Sequence, residues 1–143
     1  MTISKIIGDR DATDIISCDV NTPVAEAVNL LAGKRIGALP VIKDGKIAGI
    51  ISERDVVYCL AEKGHGALDM TVGEIMTSPA VTVEPTTLID DALALMTKRR
   101  FRHFPVIDGE KLVAFISIGD LVKHKIDEVE HEAAALRDYI QHA

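Results

Sequence analysis

Ala38-Leu-Pro-Val-Ile42 and Gly49-Ile-Ile-Ser-Glu-Arg-Asp55 return 65 residues later as His103-Phe-Pro-Val-Ile107 and Ala114-Phe-Ile-Ser-Ile-Gly-Asp120. Around these segments, Ile16 to Val57 overlays Val81 to Val122 without a gap. About twelve of some forty pairs are identical, where chance gives about two or three, so the chain is a tandem duplication. Identical pairs include Thr22 with Thr87, Ala27 with Ala92 and Arg35 with Arg100. A weaker echo precedes each copy. Thr2 to Ile7 resembles Thr71 to Met76, with four extra residues before the first copy.

Each copy reads β-α-β-β-α. A short apolar strand is predicted at Ile15 to Ser17 and again at Ala80 to Val83. A helix opened by a Thr cap follows, with Pro23 at the first helical position in copy one. Its apolar stripe is Val24, Ala27, Val28 and Leu31, or Ile89, Ala92, Leu93 and Met96, at helical spacing. Two strands come next, Ala38 to Ile42 and Lys46 to Ser52, around Asp44-Gly45; their partners flank Asp108-Gly109. The last helix starts at Glu53 or Ile118. One copy of about 60 residues buries too little surface to be comfortable alone. The expectation is therefore an α/β (α+β) fold of two repeats packed through their sheets with pseudo-twofold symmetry, plus a C-terminal helix. The predicted divisions are 1–64, 65–125 and a helical extension over 126–143.

Bulk properties narrow the function. The chain is 48% hydrophobic but 3% aromatic with no Trp, so its core is aliphatic. A net charge of −6 argues against nucleic-acid partners, whose phosphates need a positive field. No run of 18 apolar residues exists to span a membrane. The first ten residues lack the pattern of a secretory leader, and Cys18 and Cys59 form no CxxC pair. These features fit a cytoplasmic protein with two buried thiols and no metal, although counting leaves a disulfide open.

The repeated Pro-Val-Ile strand followed by an aliphatic strand ending in Ser-x-x-Asp resembles the signature of CBS domains, named after cystathionine β-synthase. Two copies resemble the stand-alone tandem pair called a Bateman module. The resemblance covers Ile15 to about Lys125. It implies a regulatory module, not an enzyme, that binds an adenine nucleotide: AMP first, then ATP, NAD(H) or S-adenosylmethionine. It requires no cofactor, commonly forms a homodimer and signals to an unidentified regulated protein. By this resemblance Asp55 and Asp120 receive the ribose hydroxyls, and Ser52 and Ser117 lie near ribose or phosphate. An ionised carboxylate suits a vicinal diol, because charged acceptors make the stronger hydrogen bonds. The same side chains also suit plain helix caps. The resemblance further places adenine of the Asp55 site against Ala80 and Val81, and that of the Asp120 site against Thr13, Ile16 and Ala38.

Lys98-Arg-Arg-Phe-Arg-His103 breaks the symmetry, because its counterpart is Gly33-Lys-Arg-Ile-Gly-Ala38. Lys98 and Arg99 read as a solvated helix end complementing the macrodipole. Arg102 and His103 stand where a strand begins, and with Arg54 they are the phosphate candidates of the Asp55 site. The Asp120 site is expected to prefer a less charged ligand end or to stay empty.

Beyond the second copy, Ile126, Val129, Ala133, Leu136 and Ile140 form a helical stripe. It suits either folding back over the sheet or self-association. No Walker loop, GxGxxG or motif-linked nucleophile–base pair is present. The alternative to a nucleotide sensor is a structural dimerisation or partner-binding scaffold.

Overall fold

The computed structural model describes residues 1–142; Ala143, the end of the predicted extension, lies outside them. The first repeat runs β1 (Cys18–Asp19), α2 (Val24–Lys34), β2 (Ala38–Lys43), β3 (Lys46–Ser52) and α3 (Glu53–Lys63), after a short α1 (Ile3–Ile7). The second follows α4 (Val72–Ile75) and comprises α5 (Ile89–Arg99), β4 (His103–Asp108), β5 (Lys111–Ser117) and α6 (Ile118–His142).

The two hairpins share one register. Ala38 faces Ser52 and His103 faces Ser117, and both ladders slip at the same point, between Val41 and Ile42 and between Val106 and Ile107. Asp44-Gly45, both with positive φ, closes the first in two residues, as strand twist favours. The second turn falls one residue later than expected, on Gly109-Glu110. Asp108 pairs with Lys111 as the last strand residue, and Gly109 alone has positive φ.

The strand expected before each helix is displaced. In copy one it is Cys18–Asp19, parallel to β2; in copy two only an isolated bridge from Val83 to Val106 forms. The apolar residues that suggested those strands, Ile15, Ile16, Ala80 and Val81, instead line clefts. The Thr caps also differ. Pro23 and Leu88 take the N-cap positions, while Thr22 and Thr87 accept hydrogen bonds from the amides of Asp19 and Glu84 at 3.1 Å each.

Two cores form, and each borrows a helix. Ala27, Leu31, Leu39, Val41 and Ile51 of the first repeat enclose Val72 of α4. Ile89, Ala92, Met96, Phe104 and Ile116 of the second enclose Ile3 and Ile6 of α1. The docking bonds match: Val72 N to Thr22 O and Ile3 N to Thr87 O are both 2.8 Å. α1 therefore completes the second core, from the opposite end of the chain. Strands β3 and β5 meet between the halves, so the repeats pack through their sheets.

The predicted C-terminal helix is continuous with the last helix of the repeat. It does not fold back over the sheet: Ile126, Val129, Leu136 and Ile140 are all more than half exposed. No helix among the described residues is long and apolar enough to cross a membrane.

Candidate functional site

Two clefts open at the seam, one beside each Ser-x-x-Asp. In both, strand gives way to helix at the serine, and a local network fixes the carboxylate. Ser52 N donates to Asp55 Oδ2 at 2.9 Å, and Asp55 N donates to the Ser52 hydroxyl at 3.3 Å. Ser117 and Asp120 repeat this at 2.9 and 3.1 Å. This reciprocal capping box leaves each carboxylate half-buried at a cleft wall with acceptor capacity to spare. Capping and facing a ligand are thus compatible roles.

The first cleft, of about 490 Å³, lies in the range of small-molecule sites. Ser52, Arg54, Asp55, Ala80, Val81, Arg102 and His103 all line it, as does Ala38. Thr77, Arg99 and Arg100 are among the lining residues that the sequence does not announce. The Thr77 hydroxyl donates to Asp55 Oδ1 at 3.1 Å. Arg99 is no mere helix end, since it faces the cleft while Lys98 does not; Arg100 follows it in a left-handed C-cap, φ 62°. Four arginines therefore meet two carboxylates, Glu53 and Asp55. An anion is favoured here.

The segment carrying Thr77 approaches very closely. Ile50 and Thr77 exchange backbone bonds at 3.0 and 2.8 Å, and a Cβ on Gly49 would stand 2.6 Å from Thr77 O. The symmetry mate of Gly49 is Ala114, which already has its Cβ.

The second cleft, of about 330 Å³, is lined by Ile16, Ala38, Ser117 and Asp120 as expected, together with Phe115. Thr13 is not among its lining residues; its amide instead donates to Asp11 at 3.0 Å within a 3-10 turn, Ala12–Asp14. Arg10, Asp11 and Asp14 line the cleft and were not anticipated. Arg10 Nη2 lies 3.0 Å from Asp120 Oδ1. The charge balance is reversed here: one arginine meets three carboxylates.

His103 lines both clefts. Its ring stacks on Phe115 with centroids 5.4 Å apart and planes 9° from parallel. Gly37 lies beside the ring, where a Cβ would make ordinary contact at 3.4 Å from Cε1. Burial pushes its pKa below the ordinary value; Arg102 acts the same way, while Asp120 and Glu53 pull it back up. Burial thus disfavours the charged ring, and the fixed cations of the first cleft are its arginines. His124, half-buried on α6, is spent on its own helix, with Nδ1 2.9 Å from Asp120 O.

Two segments of the chain, residues 7–62 and 72–127, match the family model for the CBS domain. A CBS-domain protein from Burkholderia ambifaria MC40-6 is 40% identical; its solved structure has a TM-score of 0.81, with 89% of this chain and 95% of that one covered. The mitochondrial CBS domain-containing protein CBSX3 of Arabidopsis thaliana is 37% identical over 129 residues, which cover 87% of this chain and 63% of that relative. This chain thus spans slightly less than two thirds of its length. The crystal structure of CBSX2 from Arabidopsis thaliana in complex with AMP is similar at TM-score 0.76 and 27% identity, covering 88% of this chain and 96% of that one. Both repeats match, and the paired architecture is shared over most of the sequence, so the chain belongs to the CBS domain family as a tandem pair.

Proposed function

We propose that this protein is a cytoplasmic sensor that binds AMP, or another adenine nucleotide, in the Asp55 cleft and performs no chemistry on it. The observation that carries this reading is the polarity of the cleft. A carboxylate held for a diol stands at one side, Ala80 and Val81 offer an apolar wall for a base, and four arginines supply charge for phosphate. AMP has those three parts. The structure of CBSX2 with AMP supports the same ligand class. ATP, NAD(H) and S-adenosylmethionine share the adenosine and rank behind it.

Binding signals only if the ligand prefers one arrangement of the two repeats over another. The cleft is suited to this, because its walls come from both halves: Ser52 to Asp55 from the first, Arg99 to His103 from the second. Ligand binding would draw those halves together, and a regulated protein would read the change. The second reading, a scaffold for dimerisation or partner binding, draws on the exposed apolar residues of the last helices, among them Val57 and Tyr58 on α3 and Val122 and Ile126 on α6.

Calorimetric titration of nucleotide-stripped protein with AMP, ATP, NADH and S-adenosylmethionine separates the two. A saturable signal with AMP, lost in Asp55→Ala, is the expected result. No heat and no thermal stabilisation with any of the four overturns the sensor and favours the scaffold.

A further inference from the structure

The second cleft owes its character to a piece of chain that the first cleft lacks. Eight residues separate Ile7 from Ile16, where only four separate Met76 from Val81. The longer connection forms the 3-10 turn over Ala12–Asp14 and rests on β5. It carries Arg10 onto the carboxylate: Nη2 to Asp120 Oδ1 is 3.0 Å and Nη1 to Oδ2 is 3.5 Å. In the first cleft the corresponding oxygen of Asp55 takes only the Thr77 hydroxyl. Arg10 is thereby neutralised from within the chain. Asp11 and Asp14 also line the cleft and join no ion pair among the described residues.

We propose that this insertion dedicates the second cleft to an adenosine-type nucleoside with a neutral or positively charged 5′ end, and closes it to phosphate-bearing nucleotides. The inference rests on the reading that the clefts bind adenine nucleosides, and it assigns the second one a different charge class from the first. A phosphate entering here meets three carboxylates whose one arginine is already engaged, and like charges at close range repel. An ammonium or sulfonium at the same place meets Asp11 and Asp14 as counter-ions. Ile15, Ile16, Ala38 and Phe115 provide apolar surface for a base. The ribose diol reaches Asp120 by displacing Arg10. That exchange is cheap, because both side chains of the pair are partly exposed, at 44% and 29%, and exposed ion pairs are weak. Arg10 is thus a specificity-determining residue: it holds the carboxylate until a diol competes, and it offers no free charge to a phosphate.

Three probes that differ only at the 5′ carbon test this: AMP, adenosine and 5′-amino-5′-deoxyadenosine. Each is titrated by calorimetry into the full chain and into Asp55→Asn, which disables the first cleft. If thermal melting shows that Asp55→Asn does not fold, Ala80→Trp fills the first cleft while leaving the α3 capping box intact. In the disabled chain the amino nucleoside and adenosine are expected to bind at least about tenfold more tightly than AMP. Arg10→Ala should raise adenosine affinity about two- to fivefold by removing the competitor, and Asp14→Asn should narrow the preference for the amino nucleoside over AMP. Equal binding of AMP and the amino nucleoside in the disabled chain overturns the proposal. So does a loss of AMP affinity in Arg10→Ala, which would make Arg10 a phosphate ligand. If AMP fills the first cleft and no probe binds the disabled chain, this proposal fails while the sensor reading stands. If no probe binds the wild-type chain, both fail.

Discussion

The two clefts begin from the same template and end with opposite charge. Each has a serine at a strand end, a carboxylate three residues on and a reciprocal capping box of nearly equal dimensions. The difference comes from what lies across the carboxylate. In the first cleft, a four-residue connection brings up a neutral hydroxyl from Thr77, and arginines arrive from the end of α5. In the second, an eight-residue connection brings up Arg10 with two aspartates. A duplicated scaffold therefore keeps its helix caps, which both halves need to fold, while its connections reverse the charge that lines each cleft. The part that caps the helices and the part that sets the charge of the cleft are separate stretches of sequence.

The comparison breaks most visibly at the carboxylates. Asp55→Ala should reduce AMP affinity about a hundredfold or more, since two hydrogen bonds to a charged group are lost at about 1.5–3 kcal/mol each. Asp120→Ala should leave AMP affinity within about threefold, since the carboxylates lining that cleft disfavour a phosphate. Calorimetry on both variants reads this directly. Equal losses would mean that the clefts are functionally equivalent and that their opposite lining charges do not govern AMP.

Gly49 and Ala114 give the next contrast, in stability. A Cβ at Gly49 would meet Thr77 O at 2.6 Å and Met76 Sδ at 2.8 Å; the first is backbone and cannot swing aside. Overpacking of this kind costs about 1–3 kcal/mol, so Gly49→Ala should lower the denaturant midpoint accordingly. It should also weaken AMP binding, because the displaced segment carries Thr77. Ala114→Gly merely removes a methyl from a buried strand position and should cost about 1 kcal/mol, with binding unchanged. A harmless Gly49→Ala would show that the Met76–Thr77 segment does not need its close seat on β3.

This contrast also shows what a sequence makes legible. The duplication, the helices and the hairpins follow from periodicity and turn chemistry, which are local. The capping roles of Ser52, Asp55, Ser117 and Asp120 are local too, as a serine–aspartate pair at a strand-to-helix junction, whereas their place at a ligand came from the resemblance to CBS domains. The gapless overlay aligns Gly109-Glu110 with Asp44-Gly45, so position in the repeat, not the Asp-Gly dipeptide, sets the second turn. What stayed hidden depends on long-range docking. Nothing near Thr77 announces that it will cap Asp55, and Arg10 meets Asp120 across 110 residues. The crossing of α1 into the second core is equally non-local, though its echo of Thr71 to Met76 was visible. The short strands failed for a related reason: apolar runs such as Ile15-Ile16 say that residues are hidden, not whether a sheet or a cleft hides them.

The smallest effect tests the Arg10–Asp120 pair itself. Burial alone raises the Asp120 pKa, but the hydrogen bonds from Arg10 and from the Ser117 amide outweigh it and hold the carboxyl below its ordinary 3.8. A native pKa below the unfolded one contributes stability above the unfolded value, and that share is lost as pH falls from near 3.8 through the native value. Arg10→Ala should shift the Asp120 pKa upward, measurable by NMR titration of its carboxyl carbon, and flatten the acid limb of the stability curve. At neutral pH the cost should be about 1 kcal/mol or less, because the pair is partly exposed, and raising salt should shrink the difference between the two proteins. An unchanged Asp120 titration would mean that Ser117 alone sets its acidity. Arg10 would then be a bystander at the second cleft, and the asymmetry between the clefts would rest on Asp11 and Asp14 alone.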